Sequence, residues 1–127
     1  LRNITHYCPG DDRPVLDVGL QYYQDTVEVR PGNETRVMNL VLDGLNVIRK
    51  ADSACGDLVV ARRCKVQNLL LRNINVVDQA GPRGALVRLE QGAEVARLRI
   101  DEVDGGGLET LLRNEGGQAE TVLLPNG

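Results

Sequence analysis

The feature that most constrains this chain is a spacing of 29 residues. In "VMNLVLDGLNV" the aliphatic positions are Val37, Leu40, Leu42, Leu45 and Val47, and adding 29 to each gives Val66, Leu69, Leu71, Ile74 and Val76. A second step of 29 gives Val95, Leu98, Ile100 and Val103, failing only at Gly105, and a shorter step of 24 reaches Ala119, Val122 and Leu124. A fixed period of this size is the mark of stacked units that bury a shared core, since one unit alone cannot cover its own apolar face.

Within a unit the aliphatics fall in period two, interrupted by a one-residue offset. That spacing predicts two short strands joined by a bend, because a helix would repeat at 3.6. A second apolar pair follows in each unit: Leu58 and Val60, then Val87 and Leu89 at the same interval of 29. Thr110 and Leu112 hold the place in the shortened unit, and Val27 and Val29 precede the first one. The stretches between are turn-prone: "RPGNE" at 30–34, "GPRG" at 81–84, "DGGG" at 104–107 and "NEGG" at 114–117. The expected organisation is one domain, with an irregular first unit at 1–36 and regular units at 37–65, 66–94 and 95–118, followed by a partial unit at 119–127. A length of 127 residues suits a single core. With no Phe, no Trp and three Tyr, that core must be Leu and Val.

The segments "NLLLRNINVV" (68–77) and "NLVLDGLNVI" (39–48) resemble coils of right-handed parallel β-helix proteins, the pectin-lyase-like superfamily. The resemblance covers roughly residues 37–127 and, more weakly, 1–36. It implies an all-β fold, a right-handed parallel β-helix (solenoid) of about four to five coils. The alternative is a leucine-rich-repeat solenoid, whose L-x-x-L-x-L pattern also fits but which usually carries Asn or Cys where this chain has Leu45, Ile74 and Val103.

If units stack, residues 29 apart lie above one another at the interstrand spacing of about 4.8 Å. Outward positions then form columns. One is Asn39, Asn68 and Arg97; a second is the polar ladder Asn46, Asn75 and Asp104. A third, Asp43, Arg72 and Asp101, alternates in sign. The opening "LRNI" recurs as Leu71-Arg72-Asn73-Ile74, so an interval of 41 places Arg2 below Asp43. Enzymes of the resembled superfamily lay an extended polysaccharide along such an outer face, which makes Arg2, Asp43, Arg72 and Asp101 candidate glycan contacts. Against hydrolysis, Arg72 between two acids depresses their pKa values, whereas a general acid needs its pKa raised. A cross-strand charge ladder that fixes register is the simpler expectation.

The remaining features narrow function by exclusion. A single histidine, His6, and no Cys-x-x-Cys pair leave no expected catalytic residue, metal site or cofactor. A net charge of −3 and the scarcity of aromatics argue against a nucleic-acid partner. No apolar run approaches the roughly 20 residues that cross a bilayer, so no membrane insertion is expected. The sequons at Asn3 and Asn33 are glycosylation candidates, and Cys8, Cys55 and Cys64 are disulfide candidates, with a bridge from Cys8 to one of the others favoured. Together they point to an extracellular or cell-surface location. Arg49, Lys50, Arg62, Arg63 and Lys65 form a basic cluster, read as a solvated turn region. Residues 90–120 are acidic, with eight acids against three arginines, which favours head-to-tail association. Neither end supplies the polar cap that stacked strands need, so the chain is expected to be part of a longer polypeptide or a subunit, with other copies or other chains covering its ends. The function expected is a structural or interaction module rather than an enzyme. The alternative is a carbohydrate-active fragment, either a polysaccharide lyase or hydrolase or a glycan-binding module.

Overall fold

The structure is a computed structural model and describes residues 1–7, 14–19, 35–51 and 56–125. Nine strands occur among them: β1 (Arg2–Tyr7), β2 (Leu16–Gly19), β3 (Thr35–Arg49), β4 (Val59–Arg62), β5 (Cys64–Asp78), β6 (Ala85–Glu90), β7 (Ala93–Asp104), β8 (Thr110–Glu115) and β9 (Gln118–Leu123). The odd-numbered strands form one sheet in the order β1-β3-β5-β7-β9, and the even-numbered strands form another, β2-β4-β6-β8. Every pairing between these strands is parallel. The fold is thus all-β with two parallel sheets that the chain visits alternately. Among the described residues there is no helix, so the helical returns of a leucine-rich repeat are missing from them.

The 29-residue period is the register of the longer sheet. Val37, Leu40, Leu42, Leu45 and Val47 sit opposite Val66, Leu69, Leu71, Ile74 and Val76. These in turn meet Val95, Leu98, Ile100 and Val103, while the step of 24 sets Val95 on Ala119 and Leu98 on Val122. Leu42, Leu71, Leu98 and Ile100 have no exposed surface. Strands buried on their inner face among β-branched and Leu neighbours are held by this packing more than by any backbone preference.

The bend predicted inside each unit is present, but it does not split the strand in two. Pairing skips Met38, Gln67 and Ala96 early in the strands, none of them left-handed, and at the bend it skips positions 3, 44, 73 and 102, all four left-handed: Asn3 (φ 53°), Gly44 (φ 85°), Asn73 (φ 55°) and Glu102 (φ 53°). Such a residue changes which face its successors occupy, and that produces the offset in the period.

The shorter sheet corrects a sequence expectation. Leu58 and Val60 were to lie over Val87 and Leu89, yet the register is Val59↔Val87 and Ala61↔Leu89, a step of 28. Val60 instead faces Arg88, which faces Arg113 in the next strand. Leu58, Val59, Val60 and Ala61 are apolar in succession and all buried, so the alternation that sets register elsewhere is absent here.

Two kinds of corner join the sheets. From the short sheet to the long one the chain turns within one or two residues, using left-handed Arg63 (φ 47°), Gly92 (φ 85°) and Gly116 (φ 99°). From the long sheet back, it uses wider loops such as 79–84 and 105–109.

Candidate functional site

The outward residues of β3, β5 and β7 build the candidate face. Register places Arg2 on Asp43, Asp43 on Arg72, and Arg72 on Asp101. Within that column Arg72 Nη2 lies 2.9 Å from Asp43 Oδ2, and Asn73 Nδ2 donates to Asp43 Oδ1 at 2.7 Å. Asn73 is the left-handed residue of β5, and its amide reaches Asp43 on the neighbouring strand β3. The hydrogen bond from Arg72, then that from Asn73, holds the Asp43 carboxyl below the usual carboxylate range, and the same Asp43 contact raises the pKa of Arg72.

Asp101 departs from the expected pattern of one arginine shared between two acids. Its Oδ2 receives Arg99 Nε at 2.6 Å, from two residues earlier on the same strand. Both side chains point outward from β7, and the reach of an arginine spans that interval. The column therefore resolves into an Asp43–Arg72 pair and an Asp101–Arg99 pair.

The amide columns are bonded as well as aligned. Asn68 Nδ2 donates to Asn39 Oδ1 at 2.9 Å, and Asn75 Nδ2 donates to Asn46 Oδ1 at 3.4 Å, with Asp104 in register above Asn75. Asn3 is exposed in its bend, and a Cβ on Gly44 would stand 2.9 Å from Asn3 Oδ1. Asn33, Cys8 and Cys55 lie outside the described residues. Cys64 is a free thiol with no exposed surface, an inward residue at the start of β5. Burial pushes its pKa up to about 11.

Two buried charge clusters went unrecognised in the sequence. The first corrects the reading of Arg49 as part of a solvated turn, since it has no exposed surface. Arg49 donates to the carbonyls of Arg83 at 2.7 Å and Gly56 at 2.6 Å, and its Nη1 lies 3.6 Å from Asp78 Oδ2. Asp78 also accepts from Arg83 Nε and from the Ala80 N–H. Burial alone would raise the Asp78 pKa, but the bonds from Arg83 and Ala80 and the charges of Arg83 and Arg49 bring it below the usual value. Burial lowers the pKa of Arg49, opposed by Asp78. The second cluster centres on buried Asp57, which accepts from the Ala85 N–H at 2.6 Å, Arg88 at 2.8 Å and Arg113 at 3.3 Å. The one sequence signal was the pairing of isolated Asp and Arg at strand ends, which looks the same as any charged turn.

On the long sheet the outer face is concave near the start of each strand. A groove of about 520 Å³ crosses β3, β5, β7 and β9, lined by Arg36, Met38, Lys65, Gln67, Glu94 and Glu120 among others. Lys65 Nζ lies 3.8 Å from Glu94 Oε2 within it. Among the described residues no group of three or more His, Cys, Asp or Glu could hold a metal ion, and no helix is long and apolar enough to cross a membrane. No family model, curated protein or solved structure matches the chain.

Proposed function

We propose that this chain is a stretch of right-handed parallel β-helix acting as a structural or interaction module of an extracellular or surface protein. The observation that carries this reading is that outward polar residues of successive strands bond to one another. Asp43 meets Arg72, Asn39 meets Asn68 and Asn46 meets Asn75, so the face is occupied with holding its own strands together. Stacked pairs of this kind define register and stiffen a sheet. A carboxyl held below its usual pKa, as at Asp43, is poorly suited to donate a proton near neutrality, which weighs against glycoside hydrolysis on this face. The surface location rests on the sequons at Asn3 and Asn33.

The test is Arg72→Ala against a panel of neutral and acidic polysaccharides. On the structural reading the variant unfolds a few degrees lower, Asp43→Asn adds little further loss, and neither protein binds or degrades any glycan. Glycan binding by the parent chain that disappears in Arg72→Ala would replace the structural reading with the carbohydrate-active one.

A further inference from the structure

The groove across the long sheet has a polarity that the column pairs lack. At its β3–β5 end stand Arg36 and Lys65; at its β7–β9 end stand Glu94 and Glu120. Lys65 and Glu94 occupy the same column on adjacent strands. Met38, at the basic end, is 70% exposed, the most exposed of the large apolar side chains described. A uniformly charged polymer laid along this groove would meet the wrong sign over half its length. An occupant whose charge order runs the opposite way would be matched throughout.

We propose that the groove seats a second copy of this chain, in a symmetric pair whose two-fold axis lies between the faces and parallel to the strands. Rotation about that axis turns the two outer faces together and reverses the stacking direction. Lys65 of each copy then opposes Glu94 of the other, and Arg36 comes towards the other copy's Glu120. Each isologous contact is made twice, so a modest patch acts with doubled effect. Met38 supplies the apolar contact at each end of the patch. The proposal rests on the interaction-module reading and narrows it to one surface, but it does not depend on the stability of the Asp43–Arg72 column.

The experiment is sedimentation of the chain at increasing concentration in low and high salt, with charge-reversal variants. The parent chain is expected to form dimers that weaken at least several-fold as salt screens the opposed charges. Lys65→Glu alone and Glu94→Lys alone should each lose about tenfold or more in association. An equimolar mixture of the two single variants should pair, because one groove is now mostly acidic and the other mostly basic. The double variant should regain self-association, since exchanging the signs at 65 and 94 while Arg36 and Glu120 stay as they are keeps the groove self-complementary. Met38→Asp, at an exposed position, tests the same surface without disturbing the Lys65–Glu94 pair and should also weaken the dimer. A chain that stays monomeric in low salt overturns the proposal. So does a dimer indifferent to all three single substitutions, or a groove that binds an acidic polysaccharide through Lys65 while the chain remains monomeric. Any of these leaves the structural role of the Asp43–Arg72 column to its own test.

Discussion

Arg49 is the largest side chain with no exposed surface among the described residues, and its environment explains how a cation is kept there. Two carbonyls take its Nη protons and Asp78 supplies the opposing charge, while Asp78 is itself bonded by Arg83 and the Ala80 N–H. Removing one member strands the others. Arg49→Ala should therefore cost about 3–5 kcal/mol in urea unfolding, because it leaves a buried carboxylate short of its cation and two carbonyls short of donors. Asp78 also gives this cluster a pH dependence of definite sign. Its folded pKa lies below the unfolded one, so its contribution is fully present above about pH 5, roughly a unit over the ordinary Asp value. The contribution fades as pH falls through the folded value. Unfolding midpoints should hold steady from neutrality down to about pH 5, then decline in acid, with a shallower decline in Asp78→Asn. A midpoint that moved equally in both proteins would remove Asp78 as the source. None of this was visible in the sequence, where Arg49 and Lys50 are adjacent basic residues before a turn and only the three-dimensional return of residues 56 and 83 buries the first of them.

At the scale of the element, the left-handed column decides how each long strand is shaped. Gly44 and the two asparagines, Asn3 and Asn73, are residue types that accept such a backbone, whereas Glu102 gains nothing from it. Glu102→Asn is expected to raise stability by roughly 0.5–1 kcal/mol by relieving that conformation. Gly44→Ala should lower it by more, since its φ is 85° and the new Cβ would stand 2.9 Å from Asn3 Oδ1 and 3.2 Å from Asn3 N. Thermal unfolding of the two variants in parallel checks both signs. The same column shows what a sequence can and cannot reveal. Its position was legible because the bend shifts the aliphatic period by one, and Arg2 could be set beneath Asp43 because "LRNI" carries that shift with it. The shorter sheet was legible only as to existence. Four apolar residues in a row at 58–61 give no alternation, and the polar partners that mark its outer face, Arg88 and Arg113, lie in later strands. Asp101 shows a third case: its column was right, but its partner was settled by Arg99 on the same strand, a choice of rotamer that spacing does not encode.

For the molecule as a whole, backbone pairing links each strand only to its neighbours within a sheet, so order should decline from the middle outward. β5 is paired along its length by β3 on one side and β7 on the other, and its inward residues Leu69, Leu71 and Ile74 are buried. β9 pairs only with β7 among the described residues, over Glu94–Arg99 of that strand, and Val122 and Leu123 remain 36% and 40% exposed. Opening β9 uncovers one layer of inward residues, Val95 and Leu98 of β7, whereas opening β5 separates both halves of the core. Native-state hydrogen exchange should thus find β5 amides slowest, exchanging only through global unfolding. β9 amides should exchange at least about tenfold faster, through local opening. Mild denaturant sharpens the contrast, because the β5 rates should rise with the slope of global unfolding while those of β9 stay nearly flat. If β5 and β9 instead exchanged together with one common slope, the two sheets would form a single cooperative unit, and stability could not be graded strand by strand along the stack.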